Sequence, residues 1–248
     1  MGREASFVEA MTPEPECVLP PGHTCLGGWH CRPDGGAGTA YARCPSWQAK
    51  RAEVVAREVP GAQTFVSFER LREPQAFNAA RTWTAACRVG RPGKLALLRP
   101  APLGTNTGCG KTHLLRAAAR ELAGSGCWVE IATALELTAV VRGRALFDNF
   151  ERSAAELQAK RWSRADVLLL DDLGQEETAG STTAGFLVGL LDLREDRALG
   201  WSSNLSEAEL KIRYGAPLAS RLLCGALVPG LRGHDYRRAA VLERRDVP

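Results

Sequence analysis

At 248 residues and 45% hydrophobic side chains, the chain is long enough to bury one domain of ordinary size and a smaller one beside it. Its 32 basic and 28 acidic residues leave a net charge of +4, a mixed surface that permits nucleic-acid contact without demanding it. No run approaches the roughly 18 to 20 apolar residues of a membrane span, and the start, 1–21, lacks a signal peptide's apolar centre, so a membrane protein is excluded and a cytoplasmic location expected.

Half of the eight cysteines crowd into the head of the chain. Cys17, Cys25, Cys31 and Cys44 stand with His23 and His30 in a segment, 14–46, that is rich in Pro and Gly and has neither helical nor strand period. Such a segment cannot build a packed core unaided. Four thiolates, or three with His23 or His30 replacing one, would close a tetrahedral Zn²⁺ site and supply the missing folding energy. The spacing is wider than that of a familiar zinc finger, and against the metal stands a head of scattered thiols. The remaining cysteines, Cys87, Cys109, Cys127 and Cys224, are spread out and read as buried apolar residues.

A helical period over 46–57 ends at Pro60-Gly61, where we place a boundary between a head, 1–60, and a larger domain, 61–248. The larger domain opens with an amphipathic helix over 74–89 and a short buried strand over 95–98. A glycine-rich turn then leads into a helix over 111–123, closed by Gly124-Ser-Gly126. Strands over 128–132 and 167–170 are separated by helices over 135–141 and 147–161; a helix over 186–193 and a weakly patterned strand over 199–203 complete the alternation. Strand and helix in turn imply an α/β fold with a parallel sheet sandwiched by helices.

Two motifs carry chemistry. Gly104-Thr-Asn-Thr-Gly108-Cys109-Gly110-Lys111-Thr112 lies between an apolar strand and a helix, the setting of a phosphate-binding loop. Its backbone N–H groups and the helix dipole would cradle phosphates, Lys111 would contact the β and γ phosphates of ATP, and Thr112 would ligate Mg²⁺. The loop departs from the usual spacing: Thr105 stands where the first glycine belongs, and 99–103 reads as inserted chain, both of which weaken nucleotide affinity. The second motif is the apolar run Val167-Leu-Leu-Leu-Asp171-Asp172-Leu-Gly174, a strand ending in paired acids. Asp171 is assigned to the metal and Asp172 to the attacking water.

Thr-Gly-Cys-Gly-Lys-Thr-His-Leu, Leu-Leu-Asp-Asp-Leu-Gly and Ser-Ser-Asn-Leu-Ser resemble the phrases of the DnaC/DnaI-type helicase loaders and the related IstB transposition ATPases, over roughly residues 64–238. The resemblance implies a short AAA+ core and slow ATP hydrolysis used as a switch. Gly108, Cys109, Gly110, Lys111, Thr112 and His113 would then form the nucleotide loop. Asn204 would hold the attacking water, and Arg221, with Arg213 as its rival, would be the arginine finger that reaches a neighbouring subunit. Arg237, in Asp235-Tyr-Arg-Arg, would be the second sensor. Cys25-Leu-Gly-Gly-Trp29 and Arg43-Cys44-Pro-Ser-Trp47 are similar to the cysteine-rich head with which such loaders grip a helicase.

The reading that results is an ATPase that delivers a replicative DnaB-type hexameric helicase to single-stranded DNA as an ATP-dependent homo-oligomer of bacterial or phage type. The alternatives are an IstB-like transposition helper and a catalytically silent binding module whose nucleotide loop has been spoiled.

Overall fold

The computed structural model describes residues 25–26, 29–31, 41–43, 45–59, 63–68, 73–99, 108–145, 149–177 and 180–231. In the head, β1 (Cys25–Leu26), β2 (Trp29–Cys31) and β3 (Tyr41–Arg43) form a small antiparallel sheet, in which Cys25 pairs with His30 and Cys31 with Tyr41. These strands were not expected from the sequence, because runs of two or three residues are too short to show a period. Helix α1 (Pro45–Glu58) follows, and its Val55, together with Val59 just beyond it, joins the core of the larger body.

That body alternates as the pattern requires: α2 (Pro74–Arg88), β4 (Lys94–Leu97), α3 (Lys111–Gly124), β5 (Val129–Thr133), α4 (Ala134–Gly143), α5 (Asn149–Arg164), β6 (Val167–Leu173), α6 (Gly180–Asp192) and β7 (Ala198–Ser203). Helices α7 (Glu207–Tyr214) and α8 (Ala216–Leu223) and the short strand β8 (Ala226–Leu227) end the described part. The five strands β5-β6-β7-β4-β8 are hydrogen-bonded in that order, and all their pairings are parallel. The chain leaves β4 for the far edge and fills inward, so the carboxyl ends of β4, β7 and β6 lie side by side. That is where a doubly wound sheet opens a ligand crevice.

Period-2 alternation divides the core between the sheet's two faces. Leu95, Leu97, Val167 and Leu169 face Trp83, Leu114, Leu115 and Leu122 of α2 and α3. Ala96, Leu168, Leu170, Leu199 and Trp201 face Leu137, Trp162, Leu187 and Leu210 from the opposite helix layer. A continuous apolar run such as Val167 to Leu170 is what a strand covered on both sides needs. Each fully buried side chain of this size contributes about 1.5–3 kcal/mol. Gly200 lets the α2–α3 layer settle: a Cβ there would lie 2.7 Å from Leu169 Cδ2 and 3.1 Å from Trp83 Cη2. On the other face Arg194, 3% exposed, donates to the carbonyls of Trp162, Ala165 and Ala198 and fastens the end of α5 to the start of β7.

Several boundaries differ from expectation. β6 runs past the expected end at 170 through Asp171, Asp172 and Leu173, with its pairing to β7 shifted between Leu170 and Leu173, so the paired acids close the strand as expected and one further residue follows them. α6 begins at Gly180, six residues before the predicted start, because Gly, Ser and Thr in its first turn carry no apolar period. Among the described helices none is long and apolar enough to cross a membrane.

Candidate nucleotide site

Lys111 opens α3 directly from Gly110, which takes φ +90° as the residue capping the helix; Gly108 lies at φ +83°. Both angles favour glycine. At Gly110 space excludes a side chain as well, since a Cβ would stand 2.6 Å from Phe68 Cε2. The loop therefore presents bare backbone to the carboxyl ends of the strands, with the positive end of the α3 dipole behind it.

Across the crevice, Asp171 Oδ1 accepts hydrogen bonds from Thr112 Oγ1 at 3.0 Å and from Ser202 Oγ at 2.7 Å. The same serine oxygen accepts from the Asp172 N–H at 2.9 Å, so one hydroxyl sets both acids against β7. Asp172 has φ +58°, a left-handed conformation that costs a non-glycine residue roughly 1–2 kcal/mol. The bond to Ser202 offsets part of that cost, and the side chain meets Asn204, whose Nδ2 donates to Asp172 Oδ1 at 3.4 Å. Lys111 is 5% exposed, and its Nζ lies 3.5 Å from Cys109 Sγ.

These groups line one cavity of about 810 Å³. Gly108, Cys109, Gly110, Lys111, Thr112 and His113 border it on the loop side, and Asp171, Asp172 and Asn204 on the strand side. The volume suits a ligand of nucleotide size. A hydroxyl and a carboxylate oxygen 3.0 Å apart at the start of a phosphate-loop helix, beside a second carboxylate, are the hard oxygen donors that Mg²⁺ prefers, so the donor set fits that ion.

Set against solved structures, the chain resembles DnaA from Aquifex aeolicus bound to AMPPCP, with a TM-score of 0.52 and 19% identity over 76% of this chain and 56% of that one. It resembles the DnaC helicase loader at a TM-score of 0.54 and 18% identity, over 68% of this chain and 98% of that one. For DnaI the TM-score is 0.54 and the identity 21%, over 69% and 89%. The fold is the AAA+ P-loop fold. The chain spans a little over half the length of the DnaA chain and most of the length of the two loaders' structures. No protein-family profile matches the sequence, and no curated protein matches it.

Within this AAA+ body, Arg221 stands apart from the cavity. It lies on α8, its Nε donates to Asp192 at 3.0 Å, and its side chain is 43% exposed. Its rival Arg213 points inward instead: NH2 donates to the Glu176 carbonyl at 2.6 Å and lies 3.4 Å from the Glu176 carboxylate. Arg237, Thr105, Cys17, Cys44 and His23 lie outside the described residues. Cys25, His30 and Cys31 are placed by backbone alone, in β1 and β2. The scattered cysteines split. Cys87 and Cys109 are buried as expected, and burial, with Cys127 nearby, pushes the Cys87 thiol up to about 12; Cys127 is half-buried and Cys224, at the exposed end of α8, is not buried at all.

A strap over 63–68, which no motif marks, also borders the cavity. His113 carries it: the ring Nε2 lies 2.8 Å from the Thr64 carbonyl and 3.2 Å from Ser67 Oγ, and the ring meets Phe68 edge-on at 5.2 Å. His113 thus lines the crevice while spending its ring nitrogen on the strap. Arg116, one turn further along α3, donates to Gln63 Oε1 at 3.2 Å and reaches within 3.9 Å of Asp171 Oδ2.

Proposed function

We propose that this protein binds ATP with Mg²⁺, hydrolyses it slowly, and uses the exchange of states to deliver a replicative hexameric helicase to single-stranded DNA during initiation of replication. The observation that carries this reading is the convergence of the Lys111 loop, the Asp171–Asp172 pair and Asn204 on one cavity of nucleotide size. Lys111 and the backbone of 108–112 would neutralise the phosphates. Thr112 and Asp171 would hold the ion, which would supply positive charge to offset the negative charge that grows on the phosphates during hydrolysis. Asp172 and Asn204, already hydrogen-bonded to each other, would orient the attacking water. No transfer of γ-phosphate to a protein side chain is required.

Arg221 does not line its own cavity, and as an arginine finger it would serve a neighbouring copy, which would make hydrolysis depend on assembly. The pairing with Asp192 would then be exchanged for the neighbour's γ-phosphate. The head, 1–60, with Cys17, Cys25, Cys31 and Cys44 or a histidine substitute on Zn²⁺, would grip the helicase, and α1 would seat it on the AAA+ body. The direction of the reading is supported by the fold shared with a DnaC helicase loader and with DnaI, and by a replication initiator, DnaA, bound to AMPPCP and single-stranded DNA at a TM-score of 0.54 and 18% identity.

Native mass spectrometry of the full chain mixed with its host's replicative helicase, with and without Mg-ATP, tests the proposal. A nucleotide- and zinc-bearing complex of the two is expected. Nucleotide binding without any helicase complex would shift the reading to an IstB-like transposition helper; absence of nucleotide would leave a silent binding module.

A further inference from the structure

Asp171 is 5% exposed, and a carboxylate so placed needs compensation for the water it has lost. Its Oδ1 is occupied by the hydroxyls of Thr112 and Ser202. Its Oδ2 faces the Arg116 guanidinium at 3.9 Å, within ion-pair range but beyond hydrogen-bond length. The guanidinium is anchored elsewhere, on Gln63 Oε1 at 3.2 Å, and its side chain is 28% exposed at the edge of the cavity. Held by the strap and attracted to Asp171 without a hydrogen bond, Arg116 balances the charge of that carboxylate and leaves its coordination open.

We infer that Arg116 acts as a built-in counter-cation for Asp171, sharing with the divalent ion the task of neutralising that carboxylate and thereby setting how much Mg²⁺ nucleotide binding requires. The inference rests on the proposed nucleotide site. Two consequences follow from Coulomb's law in a site screened less than water. A fixed positive charge beside Asp171 lowers the affinity for a second cation, so Mg²⁺ is needed at higher concentration. The same charge keeps Asp171 from repelling phosphates when no ion is present, so nucleotide binding survives chelation better than it would without Arg116. Arg116 is thus a positioning and specificity residue, with no contact to a reacting atom.

The test is a fluorescence titration of the full chain with an N-methylanthraniloyl ATP analogue, in EDTA and across a Mg²⁺ series. For the wild type, affinity in EDTA is expected to fall less than about tenfold below that at saturating Mg²⁺, a difference of under about 1.4 kcal/mol. Arg116→Gln, which retains a donor for Gln63, is expected to lower the Mg²⁺ midpoint about tenfold and to weaken binding in EDTA. Arg116→Lys, keeping the charge, should restore wild-type behaviour, and Gln63→Ala, which cuts the strap but leaves the charge, should leave the Mg²⁺ midpoint unchanged. A midpoint that stays within twofold on Arg116→Gln, or that moves as far on Gln63→Ala, would overturn the inference while leaving the nucleotide site standing. Should Arg116→Gln fail to fold, the wild type still decides: loss of affinity by more than about tenfold in EDTA contradicts it. No binding of the analogue under any condition would remove both the inference and the nucleotide reading beneath it.

Discussion

Asn204 shows how far a single residue can be read from sequence. An asparagine at a strand end is ordinarily a turn residue, and the Ser-Ser-Asn-Leu-Ser resemblance, with its order after the Asp-Asp pair, marked it; the structure sets its amide 3.4 Å from Asp172. Asn204→Ala is expected to leave ATP affinity within a few fold and to reduce turnover about 10²-fold, as loss of one preorganised donor does, which single-turnover hydrolysis would measure. An equal loss in affinity would assign Asn204 to binding. The places of Lys111 and Thr112 were legible because strand, glycine loop and helix follow one another directly in the chain, and that of Asp171 because an apolar run ending in paired acids is itself a local pattern. Gln63, Arg116 and Ser202 were not, because their roles depend on contacts made across 53, 55 and 31 positions of the chain respectively, and no local pattern encodes such a meeting.

At the scale of elements, α7 and α8 escaped notice because each has eight residues and Gly215 parts them, too few turns to show a period. What α7 lacks in length it recovers through its ends. Its first turn is a capping box of Ser206 and Glu209, and Glu209 also pairs with Arg99 at 2.9 Å where the chain leaves β4. The Ser206 N–H and hydroxyl, and then the Arg99 charge, hold the Glu209 carboxyl below the usual range. A carboxylate lowered in the folded state contributes stability that is complete above its unfolded pKa and is lost as pH falls through the folded one. Denaturant midpoints taken at falling acidic pH should therefore decline in the wild type, and less steeply in Glu209→Gln; parallel curves would refute the assignment.

The other end of α7 is latched to the turn after β6. Glu176, 4% exposed, accepts from Gly174 N at 2.9 Å and Tyr214 Oη at 2.5 Å, with Arg213 alongside. Burial and the neighbouring carboxylate push the Tyr214 phenol well above its ordinary range, so it stays a donor at neutral pH. Glu176→Ala leaves the Tyr214 hydroxyl without its acceptor and removes the carboxylate beside Arg213, which keeps the main-chain carbonyl of residue 176, and should cost roughly 1–3 kcal/mol in urea unfolding, as loss of a buried hydrogen-bond acceptor does. A shift under about 1 kcal/mol would show the latch to be incidental.

For the whole molecule, the α/β class followed from the alternation of elements, but the strand order β5-β6-β7-β4-β8 did not, since it is settled by which apolar faces meet at long range. That order is what brings the ends of β4, β6 and β7 together and makes a crevice from three separated stretches of sequence. The central claim is that this crevice binds ATP through the Lys111 loop. Isothermal titration of ATP with Mg²⁺ into the wild type and Lys111→Ala tests it most directly. The account predicts one ATP per chain for the wild type and an affinity at least 100-fold lower, about 2.7 kcal/mol, for the variant; absence of ATP binding to the wild type, or equal affinity in the two proteins, would contradict it.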